Sequence, residues 1–322
     1  MKRSIMESLV AQAALAPNSH NTQPWLFKLT DDTIEVHADR TRGLRVIDPA
    51  DRSLLISCGA ALGNLRAAIL GAGYQVAVTR FPDASNPDFL ARVVIGAPRE
   101  VPEGDRIRAQ AIPHRRTNRG HFQTWEVPQS ALRILQQTAA AEGALLYLLS
   151  EPEEKARVGE LIAEGDRIQA HDPAFRKELA HWLHPNVARA RDGMPANTFG
   201  VGDILSVGYP WIVRTLDWGK DRGEKDSAAA VEAPVLGVLG TNADEPTDWL
   251  HAGEALALLL LDLTADGLAA SFFNQPIEVA ELRNQLRSSL GLTGWPQMLF
   301  RIGYGHNVPA TPRRVLSDIL PN

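Results

Sequence analysis

The amino-acid sequence predicts an α+β fold in which one chain contains two similar halves. Segments with the 3.6-residue apolar repeat of helices are interspersed with short apolar or alternating segments typical of strands. The stretch CGAALGNLRAAILGAG at 58–73 also resembles AGEALALLLLDLTADG at 252–267, with matched residues such as Gly59 and Gly253 lying 194 positions apart. Helices rich in alanine and leucine agree partly by chance, so this repeat alone is weak support for a duplication.

Size and composition exclude several classes of protein. At 322 residues, with 44% hydrophobic and 22% charged residues, the chain can bury a core without disulfide or metal support. A net charge of −5 and a pI near 6.0 disfavour nucleic acid or an anionic membrane as a partner. Because Cys58 is the only cysteine, we expect no disulfide framework, no cysteine-based metal cluster and a reducing, cytoplasmic location.

Two apolar stretches need an explanation other than secretion or membrane insertion. The start, MKRSIMESLVAQAALAP, repeats apolar residues every four positions from Ile5 and is interrupted by Glu7, which predicts an amphipathic helix rather than a signal peptide. The run ALALLLLDL at 255–263 is too short to span a bilayer and contains Asp262. We expect it to be a buried core helix.

Local patterns place most of the remaining elements. In the first half they predict helices at about 4–15 and 53–70, the second capped by Ser53, and strands at 25–29, 33–38, 74–81 and 91–96. The proline-rich and charged segment 97–105 reads as a linker. Beyond it they predict helices near 105–111, 128–141, 152–169 and 249–265, and strands at 144–150, 233–240 and 299–305. Residues 170–230 have no clean period and are too long for a plain connector, so we predict a lid or substrate loop there.

A basic cluster, HRRTNR at 114–119, is the first candidate site. Arg115, Arg116 and Arg119 with the hydroxyl of Thr117 could surround one dianionic phosphate with charge-assisted hydrogen bonds. Two further arginines behind the last strand, Arg313 and Arg314, could join them. A solvated basic surface is the alternative that these residues leave open.

A polar loop, PNSHNTQPW at 17–25, is the second candidate site. Six hydrogen-bonding residues, among them Asn18, Ser19, His20 and Asn21, lie between two prolines and precede Trp25. An ordinary helix-to-strand turn would explain the residue types, but not so long a polar run. Many donors and acceptors on a rigid frame would suit the edge of a flat heteroaromatic ring.

The same motifs resemble those of a known family. APNSHNTQPW resembles the APSSxNxQPW signature of the FMN-dependent nitroreductase superfamily, RRTNR resembles its RRSxR phosphate motif, and GYG followed by TPRR resembles its C-terminal tail. The first motif is fairly specific, whereas the others count through their combination. The resemblance extends from about residue 4 to the C-terminus.

The order of the motifs differs from that of ordinary family members. There, the arginine motif precedes the polar loop in one chain, and homodimers form each flavin site from both subunits. Here the loop comes first and RRTNR follows about 100 residues later. This arrangement resembles the Acg-type nitroreductase-like proteins and implies a dimer fused into one chain with a mainly antiparallel sheet in each half. The implied halves are residues 1–102 and 103–322, with one complete flavin site between them.

The resemblance implies FMN as the cofactor and NADH or NADPH as a transient reductant. The cofactor-binding residues that we predict are Asn18, Ser19, His20, Asn21, Arg115, Arg116, Thr117, Arg119, Asn274, Gln275, Arg313 and Arg314. The arginines and Thr117 would hold the phosphate and ribityl chain, the loop would hold the ring, and Asn274 and Gln275 would approach its reactive edge.

The implied function is hydride transfer through flavin N5 to a small nitroaromatic, quinone or similar acceptor. The sequence predicts no catalytic side chain and no metal site, because the flavin carries the chemistry. The alternatives are a protein that sequesters FMN under an occluding lid and a binding protein without flavin. We expect a monomeric pseudo-dimer or a weak homodimer.

Overall fold

The computed structural model describes residues 2–321, and its first half contains a four-stranded antiparallel sheet. The strands are β1 (Trp25–Thr30), β2 (Thr33–Ala38), β3 (Tyr74–Arg80) and β4 (Phe89–Pro98), in the order β1-β2-β4-β3. Helix α1 (Arg3–Ala13) precedes β1, α2 (Arg52–Gly71) connects β2 to β3, and α3 (Glu103–Ala111) follows β4. Apolar side chains of α1, α2 and the sheet form the first core, which includes Trp25 and Phe27.

The second half repeats this topology. Helix α4 (Gln129–Ala141) precedes a sheet of β5 (Leu145–Leu149), β8 (Val235–Thr241), β9 (Ala269–Phe272) and β10 (Trp295–Gly303), in the order β5-β8-β10-β9. All three pairings are antiparallel, and α10 (Pro246–Ala265) connects β8 to β9 as α2 connects β2 to β3. Helices α11 (Gln275–Glu278), α12 (Ala280–Ser289) and α13 (Leu316–Ile319) complete the half. The predicted antiparallel sheet in each half is therefore confirmed.

The largest difference between the halves lies between their first two strands. A two-residue turn joins β1 to β2, whereas residues 150–234 separate β5 from β8. This insertion contains α5 (Pro152–His171), α6 (Pro173–His181), β6 (Leu183–His184), β7 (Met194–Pro195), α7 (Asp203–Ser206), α8 (Tyr209–Thr215) and α9 (Gly219–Val231). Helices α5 and α9 pack against each other, while residues 172–218 form a separate small cluster that we call the lid.

Helices α2 and α10 pack against each other at the centre of the molecule. A Cβ atom on Gly59 would lie 2.1 Å from the Leu250 carbonyl oxygen, and one on Gly253 would lie 2.1 Å from the Ile56 carbonyl oxygen. Each of these residues is 194 positions from its counterpart, so the two close contacts exchange equivalent residues, as a two-fold interface does. The repeat seen in the sequence thus corresponds to an isologous helix contact.

Helix α2 is buried along nearly its whole length. Its sequence is long and apolar enough for a membrane span, but 83% of that window is buried inside the protein.

The first turn of α2 begins after Asp51, and the carboxylate of Asp48 accepts hydrogen bonds from the N–H groups of Ser53 and Leu54. The prediction that Ser53 caps the helix was wrong, because Asp48 satisfies these N–H groups and Ser53 lies inside the first turn.

Candidate functional site

Two adjoining cavities lie where the two halves meet. The larger, about 220 Å³, is called the main cavity, and the smaller, about 100 Å³, is called the arginine pocket. Residues of the polar loop, of the basic cluster at 114–119 (below, the basic segment) and of the lid line both cavities. The shared residues are Pro17, Asn18, Thr117, Arg119 and Met194. The loop of the first half and the arginines of the second half therefore face one continuous space.

The basic segment is held at this place by the edge of the second sheet. Thr117 forms an isolated parallel bridge with Ala270 of β9, and the N–H of Asn118 donates to the Ala270 carbonyl at 2.9 Å. The Asn118 side chain donates to the carbonyl of His306 at 2.7 Å, and Arg301 donates to the carbonyl of Gly120 at 2.6 Å. Helix α3, which packs on α2 and α10, delivers the segment toward the first half.

Arg115 is a buried cation with few partners. Its side chain is 5% exposed, one nitrogen donates to the Leu15 carbonyl at 3.3 Å, and Nε and Nη1 have no hydrogen-bond partner. Burial and the charges of Arg313 and Arg116 lower its pKa to about 9. A guanidinium with two free donors in this position is suited to an anion.

The neighbouring cations reinforce this property. Arg313 donates to the backbone carbonyl of Ala14 at 3.0 Å and to Oδ1 of Asn21 at 3.0 Å, and burial followed by the charge of Arg116 lowers its pKa to about 10. Arg119 is exposed to solvent and lines both cavities, and the protein around it and the charge of Arg222 lower its pKa to about 10. Within residues 2–321, no carboxylate lines the arginine pocket.

The polar loop has an unusual backbone. His20, Asn21 and Gln23 have φ values of 50°, 54° and 51°, in the left-handed region that non-glycine residues rarely adopt. The side chain of Asn18 stabilises this shape, because its Oδ1 accepts from the Gln23 N–H at 2.8 Å and its Nδ2 donates to the Ala16 carbonyl at 3.1 Å. Strained backbone that is held by its surroundings is frequent at functional sites.

The members of the loop have different surroundings. Ser19 and His20 line the main cavity, and the N–H of Ser19 donates to Oγ of Ser57 at 3.3 Å. Nδ1 of His20 is buried without a partner, and burial together with Arg119 lowers the His20 pKa to about 4, so the imidazole is neutral at pH 7. Asn21 lines the arginine pocket, but its amide already donates to the Gly193 and Pro312 carbonyls.

Three predicted cofactor-binding residues of the second half, Asn274, Gln275 and Arg314, have different surroundings. Asn274 lines the main cavity, and its Oδ1 accepts from the N–H of Leu299 at 3.0 Å. Gln275 also lines it, but its amide nitrogen donates to two aspartates, described below. Arg314 lies outside both cavities and donates to the Gln23 carbonyl at 3.1 Å, so it supports the loop from behind.

The lid covers the main cavity with aromatic and apolar side chains. Those that line the cavity are Phe175, Leu179, Leu183, Met194, Phe199, Tyr209, Val213 and Trp218. The guanidinium carbons of Arg119 and Arg222 lie 5.3 and 5.4 Å from the centroid of the Phe199 ring. The sequence predicted a lid in this region but gave no signal for which of its residues reach the cavity.

The lid is attached to the polar loop. The N–H of Gly193 donates to the Asn21 carbonyl at 3.1 Å, and Nε2 of Gln23 donates to the Arg191 carbonyl at 2.8 Å. Arg42 of the first half forms an ion pair with Asp192. Because residues 191–193 belong to the second half, these contacts close the cavity by joining the two halves.

Asp166 and Asp226 also line the main cavity, and the sequence interpretation missed both. Asp166 lies on the buried side of α5, four residues after Ile162 and eight after Val158. A carboxylate on an otherwise apolar helix face is a signal that could have identified it. Asp226 had no such signal, because its pairing with Arg222 at 2.8 Å looks like an ordinary surface ion pair in the sequence.

Comparison with known proteins identifies relatives of nearly full length. A Mycobacterium tuberculosis protein that carries the provisional name NAD(P)H nitroreductase is 33% identical over 325 residues, covering 98% of this chain and 90% of the relative. The M. tuberculosis protein acg, with the same provisional name, is 30% identical over 332 residues, covering 98% and 95%. PigM of Serratia sp. is 25% identical over 337 residues, covering 98% and 92%. No protein-family model matches the chain.

Solved structures with detectable similarity are more distant. The FMN- and NADPH-dependent nitroreductase NfnB of a Sphingopyxis strain has a TM-score of 0.46 at 19% identity, covering 66% of this chain and 97% of its own. NfnB of Mycobacterium smegmatis, solved with NADPH, has a TM-score of 0.42 at 18% identity, covering 66% and 98%.

Proposed function

The chain belongs to the NAD(P)H nitroreductase family, and from that premise we propose that it is an FMN-dependent oxidoreductase. It would take reducing equivalents from NADH or NADPH and pass them to a small nitroaromatic, quinone or similar acceptor. The observation that carries the proposal is the arginine pocket. Among residues 2–321, two nitrogens of the buried Arg115 have no hydrogen-bond partner and no carboxylate lines the space.

The residues present fit a flavin mononucleotide. Its dianionic phosphate would offset the charges of Arg115, Arg116, Arg119 and Arg313, and the hydroxyl of Thr117 lies between them in sequence and lines the same pocket. Inorganic phosphate alone would satisfy the pocket, but it would leave the adjoining main cavity without an occupant. A ligand with a phosphate at one end and a flat ring at the other would use both.

The chain would bind and orient the flavin rather than react with it. When bound, the flavin supplies hydride transfer at N5. Ser19, His20 and Ser57 would face its ring from the first half and Asn274 from the second, while the apolar lid excludes water. Arg314 would act indirectly, by holding Gln23 and therefore the shape of the loop.

Absorption spectroscopy and turnover test the proposal together. We expect the purified protein to bind about one FMN per chain, since the arginines and the loop form one shared space. It should then consume NADH or NADPH when menadione or a nitrobenzene is added. A chain that binds no FMN, or that binds two, would contradict the single-site proposal.

A second function is favoured by the attachment of the lid. The contacts of Gly193, Arg191 and Asp192 with the loop would retain a bound flavin and could exclude an acceptor. A protein of this kind would sequester FMN without turnover. Tight FMN binding without NAD(P)H consumption, in the presence of several acceptors, would favour sequestration over the oxidoreductase.

We also propose a cytoplasmic location and a monomeric pseudo-dimer or weak homodimer. Residues of both halves line the two cavities, which supports a site that needs no second chain to complete it. The separation into halves at residues 102 and 103 remains a prediction. Light scattering over a range of protein concentrations tests the oligomeric state.

A further inference from the structure

The part of the main cavity formed by α5, α9 and α11 contains a carboxylate pair bridged by one amide. Nε2 of Gln275 donates to both oxygens of Asp166, at 3.1 and 3.2 Å, and to Oδ2 of Asp226 at 3.2 Å. All three side chains line the cavity, and Oε1 of Gln275 is buried without a partner. The two aspartates come from different helices, α5 and α9, so their approach is created by the fold.

The two carboxyl groups have different surroundings. Asp226 is paired with Arg222 at 2.8 Å. Asp166 is 3% exposed, has no cationic hydrogen-bond partner and faces the charge of Asp226. Burial and Asp226 raise the Asp166 pKa to about 7, and the hydrogen bond from Gln275 and the charge of Arg222 oppose the shift only in part. Two carboxyl groups driven apart in this way can hold one proton between them, and Asp166 is its natural carrier.

Other charged groups around the pair act on the same proton. The negative charge of Glu278, on α11, also raises the pKa of Asp166. The positive charges that interact with Asp226 include Arg119 of the basic segment and Arg301 of β10. The charged groups that interact with one or both aspartates are Arg222, Glu278, Arg119 and Arg301. Glu232 lies close to Arg301 and interacts with that cation.

The reaction proposed above needs a proton. When NAD(P)H reduces a quinone to a quinol, the acceptor gains two electrons and two hydrogens, one as the hydride and one as a proton. NAD(P)H is oxidised to NAD(P)⁺, and the proton must come from the protein or from water. Under a lid that excludes water, a side chain with an available proton at neutral pH has the advantage.

We propose that Asp166 is the residue that delivers this proton to the acceptor oxygen, and that Asp226 and Gln275 position it. The proposal rests on the oxidoreductase function. As the O–H bond of the Asp166 carboxyl breaks, the new O–H bond forms on the acceptor, and the carboxylate regains a proton from solvent. Two other titratable groups in the cavity are poorer donors. His20 is neutral at pH 7, and Glu278, whose pKa burial also raises, accepts a hydrogen bond from Nε2 of Gln169 at 2.7 Å that opposes its protonation.

The first test separates the two half-reactions. Protein reduced beforehand with dithionite is mixed rapidly with 1,4-benzoquinone between pH 5.5 and 9. We expect the wild-type rate to fall about tenfold per pH unit above pH 7, as the proton is lost. Asp166→Asn should be about 100-fold slower at pH 6 and independent of pH, in line with the usual contribution of a general acid. When the oxidised variant is mixed with NADH, the rate at which flavin absorbance is lost should differ from the wild-type rate by less than threefold.

A matched control and a second readout keep the proposal distinct from the proposed function. Asp221→Asn, on the exposed side of the same helix as Asp226, should behave as wild type in both half-reactions. Infrared difference spectra of the resting protein should contain a protonated-carboxyl band that titrates near pH 7 and is missing in Asp166→Asn. Asp226→Asn should lower the midpoint of that band by at least one pH unit, because it removes the negative charge beside Asp166 and frees Arg222 to interact with Asp166.

The outcomes separate the two proposals. A wild-type protein without FMN or without quinone reduction overturns the proposed function and, with it, the proton donor. A wild-type protein that reduces quinone while Asp166→Asn keeps its rate and pH profile overturns the proton donor alone. An infrared band unaffected by both substitutions overturns it as well, even if Asp166→Asn were too unstable for kinetics.

Discussion

Replacing Arg115 with methionine should have opposite effects on folding and on flavin binding. Burial and the charges of Arg313 and Arg116 lower the pKa of Arg115 from its ordinary value to about 9. At about 1.36 kcal/mol per pKa unit, the charged form is disfavoured by roughly 5 kcal/mol in the flavin-free protein at pH 7. Loss of the hydrogen bond to Leu15 offsets about 1 kcal/mol of the gain. We therefore expect flavin-free Arg115→Met to be more stable than wild type by as much as about 4 kcal/mol.

Flavin binding should change in the other direction. Two nitrogens of Arg115 are free to donate, and a hydrogen bond to a charged group contributes about 1.5–3 kcal/mol. The variant should therefore bind FMN about 10²- to 10⁴-fold more weakly. Stabilisation of the wild type by excess FMN, about 2.7 kcal/mol at 100 times its Kd, should be almost absent in the variant at the same FMN concentration.

The pH dependence has a definite sign. The folded-state pKa of Arg115 lies below the unfolded one, so above pH 9 the unfolded chain holds more protons at this residue, and wild-type stability rises with pH until the unfolded arginine also titrates. The stability advantage of the flavin-free variant should be constant below pH 9 and shrink above it.

Urea unfolding with and without FMN, at pH 7 and pH 10, and calorimetric titration with FMN measure these effects. The exposed Arg133 of α4 provides a matched control, and Arg133→Met should leave both quantities nearly unchanged. If flavin-free Arg115→Met were less stable than wild type, or if it bound FMN as tightly, the interpretation of the arginine pocket would be refuted.

Three further predictions concern packing, the lid and acid stability. Gly59→Ala should destabilise the protein by about 3 kcal/mol in urea unfolding, since the new Cβ would lie 2.1 Å from a backbone carbonyl of α10. Gly193→Ala should weaken hydrogen-exchange protection of residues 184–195 and speed flavin release about tenfold, because its φ is +66° and the Cβ would lie 2.4 Å from Nε2 of His184. Asp244→Asn should lower the free energy of unfolding by about 2 kcal/mol at pH 7. Hydrogen bonds from Arg283, Gln297 and Trp249 outweigh the effect of burial and lower the Asp244 pKa to about 2. This last loss should vanish as the pH falls through 2, where wild-type Asp244 is itself protonated.

Gly104 on α3 serves as the control for the glycine substitutions. Apart from its chain neighbours and the backbone of its own helix, no atom of residues 2–321 lies within 4 Å of a Cβ built there, so Gly104→Ala should be neutral or slightly stabilising. Equal effects at Gly104 and Gly59 would show that helix propensity, and not the α2–α10 contact, determines the result. Unchanged exchange protection in Gly193→Ala, or a loss in Asp244→Asn that persisted at pH 2, would contradict the other two predictions.

Much of the fold could be predicted because its elements have regular patterns. Helices α2 and α10 and strands β2, β3 and β8 have clear apolar patterns, and the repeat at 194 positions corresponds to the contact of the two helices at Gly59 and Gly253. Strand β9 and helix α12 were missed, since a four-residue strand and a short polar helix carry little periodic signal. Residues 172–218 gave no element bounds, because their short helices pack on a cavity and on each other rather than on a sheet.

The site was predictable to the extent that its chemistry is local in sequence. The loop and the basic segment stand out because each concentrates polar or basic residues in fewer than ten positions. Asp166, Asp226 and Phe199 lie far apart in sequence and meet only through the packing of α5, α9 and the lid. The position of Arg314 behind the loop depends on the path of the C-terminal tail, which no spacing rule gives.

The contact between α2 and α10 has a consequence for how such a molecule can change over time. In a homodimer every substitution appears on both sides of the symmetry axis, so the two sites must improve or decline together. Here Gly59 and Gly253 are encoded separately, although they touch as symmetric partners do. One side of the axis can therefore lose its binding residues while the other keeps them, and the strand connection at 150–234 can lengthen into a cover for the site that remains.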